Sequence, residues 1–214
     1  GSRAAYLIQE PLAAAIGAGL PVGTPSGNML LNLGAGASEA AIIALHGIVS
    51  SHSVRVGGMH LDQSVAAYVR RKYGVVIGET TAEAIKIRVG AAVALEEDLE
   101  TEVQGRDQVT SMPRSATITT SEVIEAMQEP LEAIIGVARA VLEQTPPELA
   151  SDAIDRGMTI SGGGALLRGI DKLLTKETGV PTYVAENPLG CVVIGTGRAL
   201  EMYETIRPNL PRVS

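Results

Sequence analysis

Two apolar runs in this chain each stop at a cluster of residues with almost no side chain. Asn28 to Leu33 runs into Gly34-Ala35-Gly36-Ala37-Ser38, and Met158 to Ser161 runs into Gly162-Gly163-Gly164. A strand ending in glycine turns tightly, and its amides can approach a ligand or another backbone with no Cβ in the way. Neither cluster ends in the Lys-Ser/Thr of a Walker A loop, and neither has G-x-G-x-x-G spacing. Each is open to two readings, a plain tight turn or a ligand contact. Two in one chain, both at strand ends, favour the ligand.

The rest of the composition narrows the field. Hydrophobic residues make up 45% of 214, but aromatics only 2%, with five Tyr, no Phe and no Trp, so the core must be aliphatic. A net charge of −7 argues against a nucleic-acid partner, which needs a basic face to neutralise phosphates. A single cysteine, Cys191, leaves no internal disulfide framework and no cysteine-based zinc site, and reads as a core thiol. That usage fits a reducing cytoplasm. His46, His52 and His60 lack metal-ligand spacing and read as turn or surface residues. No stretch approaches the roughly 18 uninterrupted apolar residues of a membrane span. Gly1-Ser2 reads as an appended scar outside the fold.

Periodicity organises the chain as alternating strands and helices, an α/β class. Tyr6-Leu7-Ile8 reads as a strand end, and Glu10-Pro11 starts an Ala-rich helix that Gly17 and Gly19 end. Asn28–Leu33, Ala40–Leu45 and Ile48–Val56 read as an antiparallel meander with one wetter face. Helices are expected over Leu61–Tyr73 and Thr80–Val89, the second capped by Thr80 or Thr81. The acidic run 96–102 reads as a solvated loop or strand edge, and 101–119 as short β segments. A long helix from Ser121 to about Glu143 should be kinked or split by Pro130. Then come a helix from Pro146-Pro147 to Arg156, strand Met158–Ser161, helix Ala165–Glu177, strand Pro181–Val184, and a final helix from Leu189 to Ile206. Tyr183 and Tyr203 are expected to cap the core edge.

Several of these segments resemble the MreB family of bacterial actin homologues. Glu10-Pro11-Leu12-Ala13-Ala14-Ala15-Ile16-Gly17-Ala18-Gly19 is similar to that family's connecting helix, Glu-Pro-Met-Ala-Ala-Ala-Ile-Gly-Ala-Gly. Asn32 to Glu39 stands where the family has Asp-Ile-Gly-Gly-Gly-Thr-Thr-Glu, its second phosphate-binding hairpin. Ser161 to Gly169 is similar to the adenosine motif Thr-Gly-Gly-Gly-Ser-Leu-Leu-Arg-Gly, and Thr145-Pro146-Pro147-Glu148-Leu149 matches as well. The resemblance covers about residues 5–204, the C-terminal half of the family's length, without the half that carries the first phosphate loop.

The resemblance implies an actin-like (ribonuclease H-like) core domain over 3–58 and 120–206 with a smaller α+β subdomain inserted at 59–119. It implies ATP with magnesium, held at Gly34, Ala35, Gly36, Ala37, Ser38, Glu83, Lys86, Gly162, Gly163, Gly164 and Leu166. Glu10 matches the position that orients the attacking water; from its residue type alone it is a charge at a helix start favoured by the dipole. By family, the intact protein would form filaments at the inner face of the membrane and work with cell-wall synthesis and membrane-associated shape proteins. This half alone should neither contact lipid nor polymerise.

Departures from the family pattern point to weakened hydrolysis. Asn32 replaces an Asp that helps hold the magnesium water shell, and an amide lacks the charge a hard cation prefers. Ala35 replaces Gly, Ala37 replaces Thr, Arg88 replaces a Glu near the expected nucleoside pocket, and Met59 stands where an acid is usual. Such losses lower rate more than affinity, because phosphoryl transfer rests on positioning and charge stabilisation. The alternatives are a nucleotide-free structural filament subunit, an actin-fold kinase, for which no catalytic acceptor-site Asp is evident, and a chaperone-type ATPase domain.

Overall fold

The computed structural model describes residues 5–210. The Gly1-Ser2 reading, residues 3–4 of the expected core segment and the tail beyond 210 lie outside the described residues. Along the chain, α1 (Glu10–Gly17) starts with Pro11 in its first turn, where the missing N–H costs nothing. Strands β1 (Asn28–Leu33), β2 (Ser38–Ala44) and β3 (Gly47–Val54) form the expected meander. The small-sheet region follows: α2 (Gly58–Tyr73), β4 (Val75–Val76), α3 (Glu79–Val89), β5 (Glu100–Asp107) and β6 (Pro113–Thr119). Next come α4 (Thr120–Gln144), α5 (Pro147–Arg156), β7 (Met158–Ser161), a 3-10 turn (Gly163–Leu166), α6 (Ile170–Thr178), β8 (Thr182–Val184), α7 (Cys191–Glu201) and α8 (Tyr203–Ile206).

The large sheet has the order β3-β2-β1-β7-β8, and the small one β4-β5-β6. β1 is central: antiparallel to β2 and parallel to β7. All six of its residues are buried, as expected of a strand covered on both faces. Its odd-numbered face (Met29, Leu31, Leu33) joins the main aliphatic core with α2, α3, α4, α6 and the small sheet. Leu30 faces the other way, into a second cluster built from α1, α7, Ala41 and Ile43. α4 runs beside both sheets; its Thr119 cap and Glu122 exchange bonds, Thr119 N–H donating to the Glu122 carboxylate at 2.8 Å.

Several sequence expectations need correcting. Tyr6 to Ile8 forms no strand in the described residues, because no neighbouring strand takes its hydrogen bonds. α3 starts one residue before Thr80, with Gly78 as its N-cap and no side-chain cap. Pro130 neither splits nor ends α4, which stays one helix; Pro130 and Leu131 are buried against the core, so packing outweighs the local breaker. Residues 163–166 form a 3-10 turn, and α6 begins only at Ile170 after Gly169 at φ 72°. The last helix starts at Cys191 and breaks at Met202. The acidic run opens β5 from Glu100 on, with Thr101 and Val103 buried between the exposed polar residues Glu100, Glu102 and Gln104. Tyr183 is exposed, while Tyr203 rests on Tyr6 with ring centroids 4.3 Å apart.

Candidate functional site

The register of β1 on β7 sets the site. Asn32 stands opposite Ser161, so both glycine-rich turns leave the sheet at the same edge. They nest tightly. A Cβ on Gly162 would lie 2.3 Å from the Leu33 carbonyl oxygen, at φ +82°, and one on Gly164 would lie 2.7 Å from Leu33 Cβ. Glycine is therefore required where the second turn crosses the end of β1. At the hairpin tip the reverse holds: a Cβ on Gly36 would meet nothing within 4 Å. Gly34 N–H closes the hairpin on the Ala37 carbonyl at 2.9 Å, and the amides of Ala35 and Gly36 find no acceptor among the described residues. Unspent amides in an open, side-chain-poor turn suit an anion. The start of α2 braces this hairpin from behind, Gly58 and Met59 N–H donating to the Gly34 and Ala35 carbonyls at 3.0 and 2.8 Å.

A polar row crosses the sheet at the same edge, on the face covered by α1. Glu39 and Ser161 are the two cross-strand partners of Asn32. Asn32, only 4% exposed, donates Nδ2–H to Glu10 Oε1 at 2.6 Å and accepts from Ser161 Oγ at 2.9 Å. Burial pushes the Glu39 carboxyl above its usual range, and the nearby Glu10 carboxylate adds to the shift. The row thus holds two acids with a neutral amide beside both. Ser38 is turned inward, its hydroxyl donating to the Val56 carbonyl at 2.7 Å.

Other expected site residues approach from α3. Lys86 Nζ pairs with buried Asp62 of α2 at 2.8 Å and reaches the Gly58 carbonyl at 3.3 Å, directly behind the hairpin. Burial raises the Asp62 carboxyl, and Lys86 opposes that shift. Glu83, one turn earlier, is exposed. Arg88 points elsewhere, donating to Thr101 Oγ1 at 3.2 Å on β5. Leu166 is exposed beyond the second turn. Arg168 ties that turn to the end of α3: its guanidinium donates to the Gly90 carbonyl at 3.1 Å, and its own carbonyl accepts from Ala92 N–H at 2.7 Å.

Glu39, Ser161 and Arg168 fall within the quoted motifs but carried no site role there, and Asp62 lay outside them. Asp62 carried a signal, since it is an acid beside the apolar positions Leu61 and Val65 of an amphipathic helix. No group of three or more His, Cys, Asp or Glu among the described residues is placed to hold a metal ion. The open amides of Ala35 and Gly36 are what suit a phosphate group here. No helix in the described residues is long and apolar enough to cross a membrane.

The MreB/Mbl protein family model matches residues 1–208. The chain belongs to the MreB/Mbl family. It is 52% identical over 204 residues to the cell shape-determining protein MreB of Escherichia coli strain K12, covering 95% of this chain and 59% of that protein. Against the cell shape-determining protein Mbl of Bacillus subtilis strain 168 the identity is 46% over 201 residues, covering 94% and 60%. The chain thus spans about three fifths of the length of these curated relatives. A crystal structure of MreB5 of Spiroplasma citri bound to ADP superposes with a TM-score of 0.89 at 35% identity, over 94% of this chain and 61% of that one. The MamK double helical filament matches at TM-score 0.74 and 19% identity, over 90% and 58%, which shows the actin-like fold alone. Both α/β sheets described above belong to that fold.

Proposed function

We propose that this chain forms one wall of an ATP site in a filament-forming, cell shape-determining protein of the MreB type, and that its hydrolysis is weak. The observation that carries the reading is the shared strand edge, where the open 34–37 hairpin and the 162–164 turn meet beside Glu10. The nucleotide-bound state of the MreB5 neighbour supports a nucleotide here, and membership of the MreB/Mbl family supports a part in cell shape. Ala35, Gly36, Gly163 and Gly164 would face the phosphates, with Lys86 behind the hairpin. Glu83 and Leu166 would flank the nucleoside. Glu10 would order the attacking water. A divalent cation would supply charge neutralisation on the phosphates, keeping several waters as magnesium usually does.

The region 59–119 acts in this reading as the inserted small subdomain. The full-length protein would assemble at the inner face of the membrane and work with wall-synthesis partners. Isothermal calorimetry and a phosphate-release assay on the full-length protein test the proposal together. Nucleotide binding with turnover well below that of an ordinary family member is expected. Absence of binding leaves the second reading, a nucleotide-free filament subunit, which the replacement of charged and hydroxyl groups at positions 32 and 37 favours.

A further inference from the structure

We propose that Asn32 is a positioning residue that clamps the Glu10 carboxylate to the end of β1 and so keeps turnover low. The clamp is read from geometry alone; its effect on turnover rests on the nucleotide site proposed above. Asn32 is buried, and both ends of its amide are spent. Nδ2–H donates to Glu10 Oε1 at 2.6 Å, and Oδ1 accepts from Ser161 at 2.9 Å. The Glu10 carboxylate fixes which way the amide points, because an ionised carboxylate only accepts, and the Ser161 hydroxyl, which can donate or accept, then donates to Oδ1. The nitrogen is thereby left facing Glu10. A hydrogen bond to an ionised acceptor is among the stronger kinds.

The charged groups facing this amide are Glu10 from α1 and Glu39 from β2, while β7 contributes the neutral Ser161. The nearest cation on α7, Arg198, binds the far end of α1 through the Ile16 carbonyl at 3.2 Å. Among the described residues nothing else in the row offsets the two acids; Glu10 is exposed to solvent, and the neutral donor holds it beside Glu39 without adding a third charge. The clamp has a chemical consequence. A carboxylate oxygen held by a short bond from a buried amide is fixed in direction. Glu10 Oε1 is then turned toward the strand end, which leaves Oε2 as the oxygen open to a water beside the hairpin.

The test uses the full-length protein, N32A, N32D, and the double variant E10Q/N32D. The first readout is the thermal midpoint against pH, without nucleotide. In N32D a third carboxylate meets Glu10 and Glu39, so its folded pKa rises above the unfolded value of about 3.9. The midpoint of N32D is then depressed at neutral pH and recovers toward wild type as pH falls through that range. N32A lowers the midpoint without that pH dependence, and E10Q relieves N32D at neutral pH. An N32D profile parallel to that of N32A overturns the clamp. The second readout is ATP turnover. N32A raises it by about tenfold, a small part of the 10²–10⁴ that a positioned base supplies, with affinity little changed. Unchanged or lower turnover in a variant that binds nucleotide overturns the link to turnover. Failure of the wild-type protein to bind nucleotide overturns the proposed site, and the pH profile still decides the clamp.

Discussion

Gly195 of α7 lies so close to Ala13 of α1 that a Cβ there would sit 1.7 Å from the Ala13 carbonyl oxygen. Gly17 makes the reciprocal approach, its would-be Cβ 1.8 Å from the Cys191 carbonyl oxygen. The two helices cross with backbone on backbone, and this crossing fixes where α1 presents Glu10. Gly195→Ala should cost about 3 kcal/mol or more, since backbone cannot shift aside as a side chain can. Urea unfolding should show a lower midpoint with little change of slope.

The buried pair of Lys86 and Asp62, with side chains 15% and 9% exposed, should be sensitive to loss of either partner. Lys86→Met strands the Asp62 carboxylate and should cost about 3 kcal/mol at neutral pH. The folded Asp62 carboxyl already lies above its ordinary 3.8 because of burial, and losing the cation raises it further. The ionised form is the disfavoured one in the fold, so the penalty is full above that raised value and shrinks as pH falls toward 3.8. Chemical denaturation of wild type and variant at several pH values reads this directly.

Glu122 behaves in the opposite sense. Burial pushes its carboxyl up, but bonds from Lys72, from Tyr73 Oη at 2.5 Å and from Thr119 N–H outweigh burial and hold it below 4.5. Burial, with the same carboxylate adding to it, pushes Tyr73 up to about 12. Stability from Glu122 is present above pH 4.5 and lost as pH falls through the lowered folded value. Glu122→Ala should cost about 1–2 kcal/mol at neutral pH through the broken cap. Wild type and variant should converge in strong acid.

The two glycine turns separate folding from binding. Gly162→Ala must strain a positive φ and meet the Leu33 carbonyl, so it should lower the thermal midpoint by several degrees, as a loss of ~1–2 kcal/mol does. Gly36→Val enters open space and should leave the midpoint within a degree or two. If the hairpin cradles phosphate, calorimetry on the full-length Gly36→Val protein should show weaker nucleotide binding.

Cys191 is 2% exposed and burial raises its thiol above 9.0. It should resist a thiol reagent in the native protein and react once the protein is unfolded in guanidinium.

Local pattern carried most of the fold. The 3.6-residue period of Leu61, Val65, Tyr68 and Val69 gave α2, and the meander followed from period two and its turns. Pattern failed where a contact distant in sequence decides the outcome. Pro130 reads as a breaker until Leu131 and Ile134 are seen buried beside it, and Tyr6 to Ile8 reads as strand until the sheet is seen to offer it no neighbour. The glycine turns were legible as paired strand ends. The clamp was not, because Glu10, Asn32 and Ser161 stand 22 and 129 residues apart and no short motif encodes such a chain of bonds.

At 25 residues, about 37 Å, α4 is the longest element, and its two ends are gripped by different parts of the molecule. Near its start Glu125 accepts from Tyr68 of α2, while near its end Arg139 binds the Glu177 carbonyl of α6 and Thr145 meets Ser50 of β3. Pro130 lies between the two grips and removes one rung from the helix's ladder of bonds. The helix is thus held at its two ends by separate elements, and the missing rung falls between those holds, where burial of Pro130 and Leu131 takes over from the absent bond.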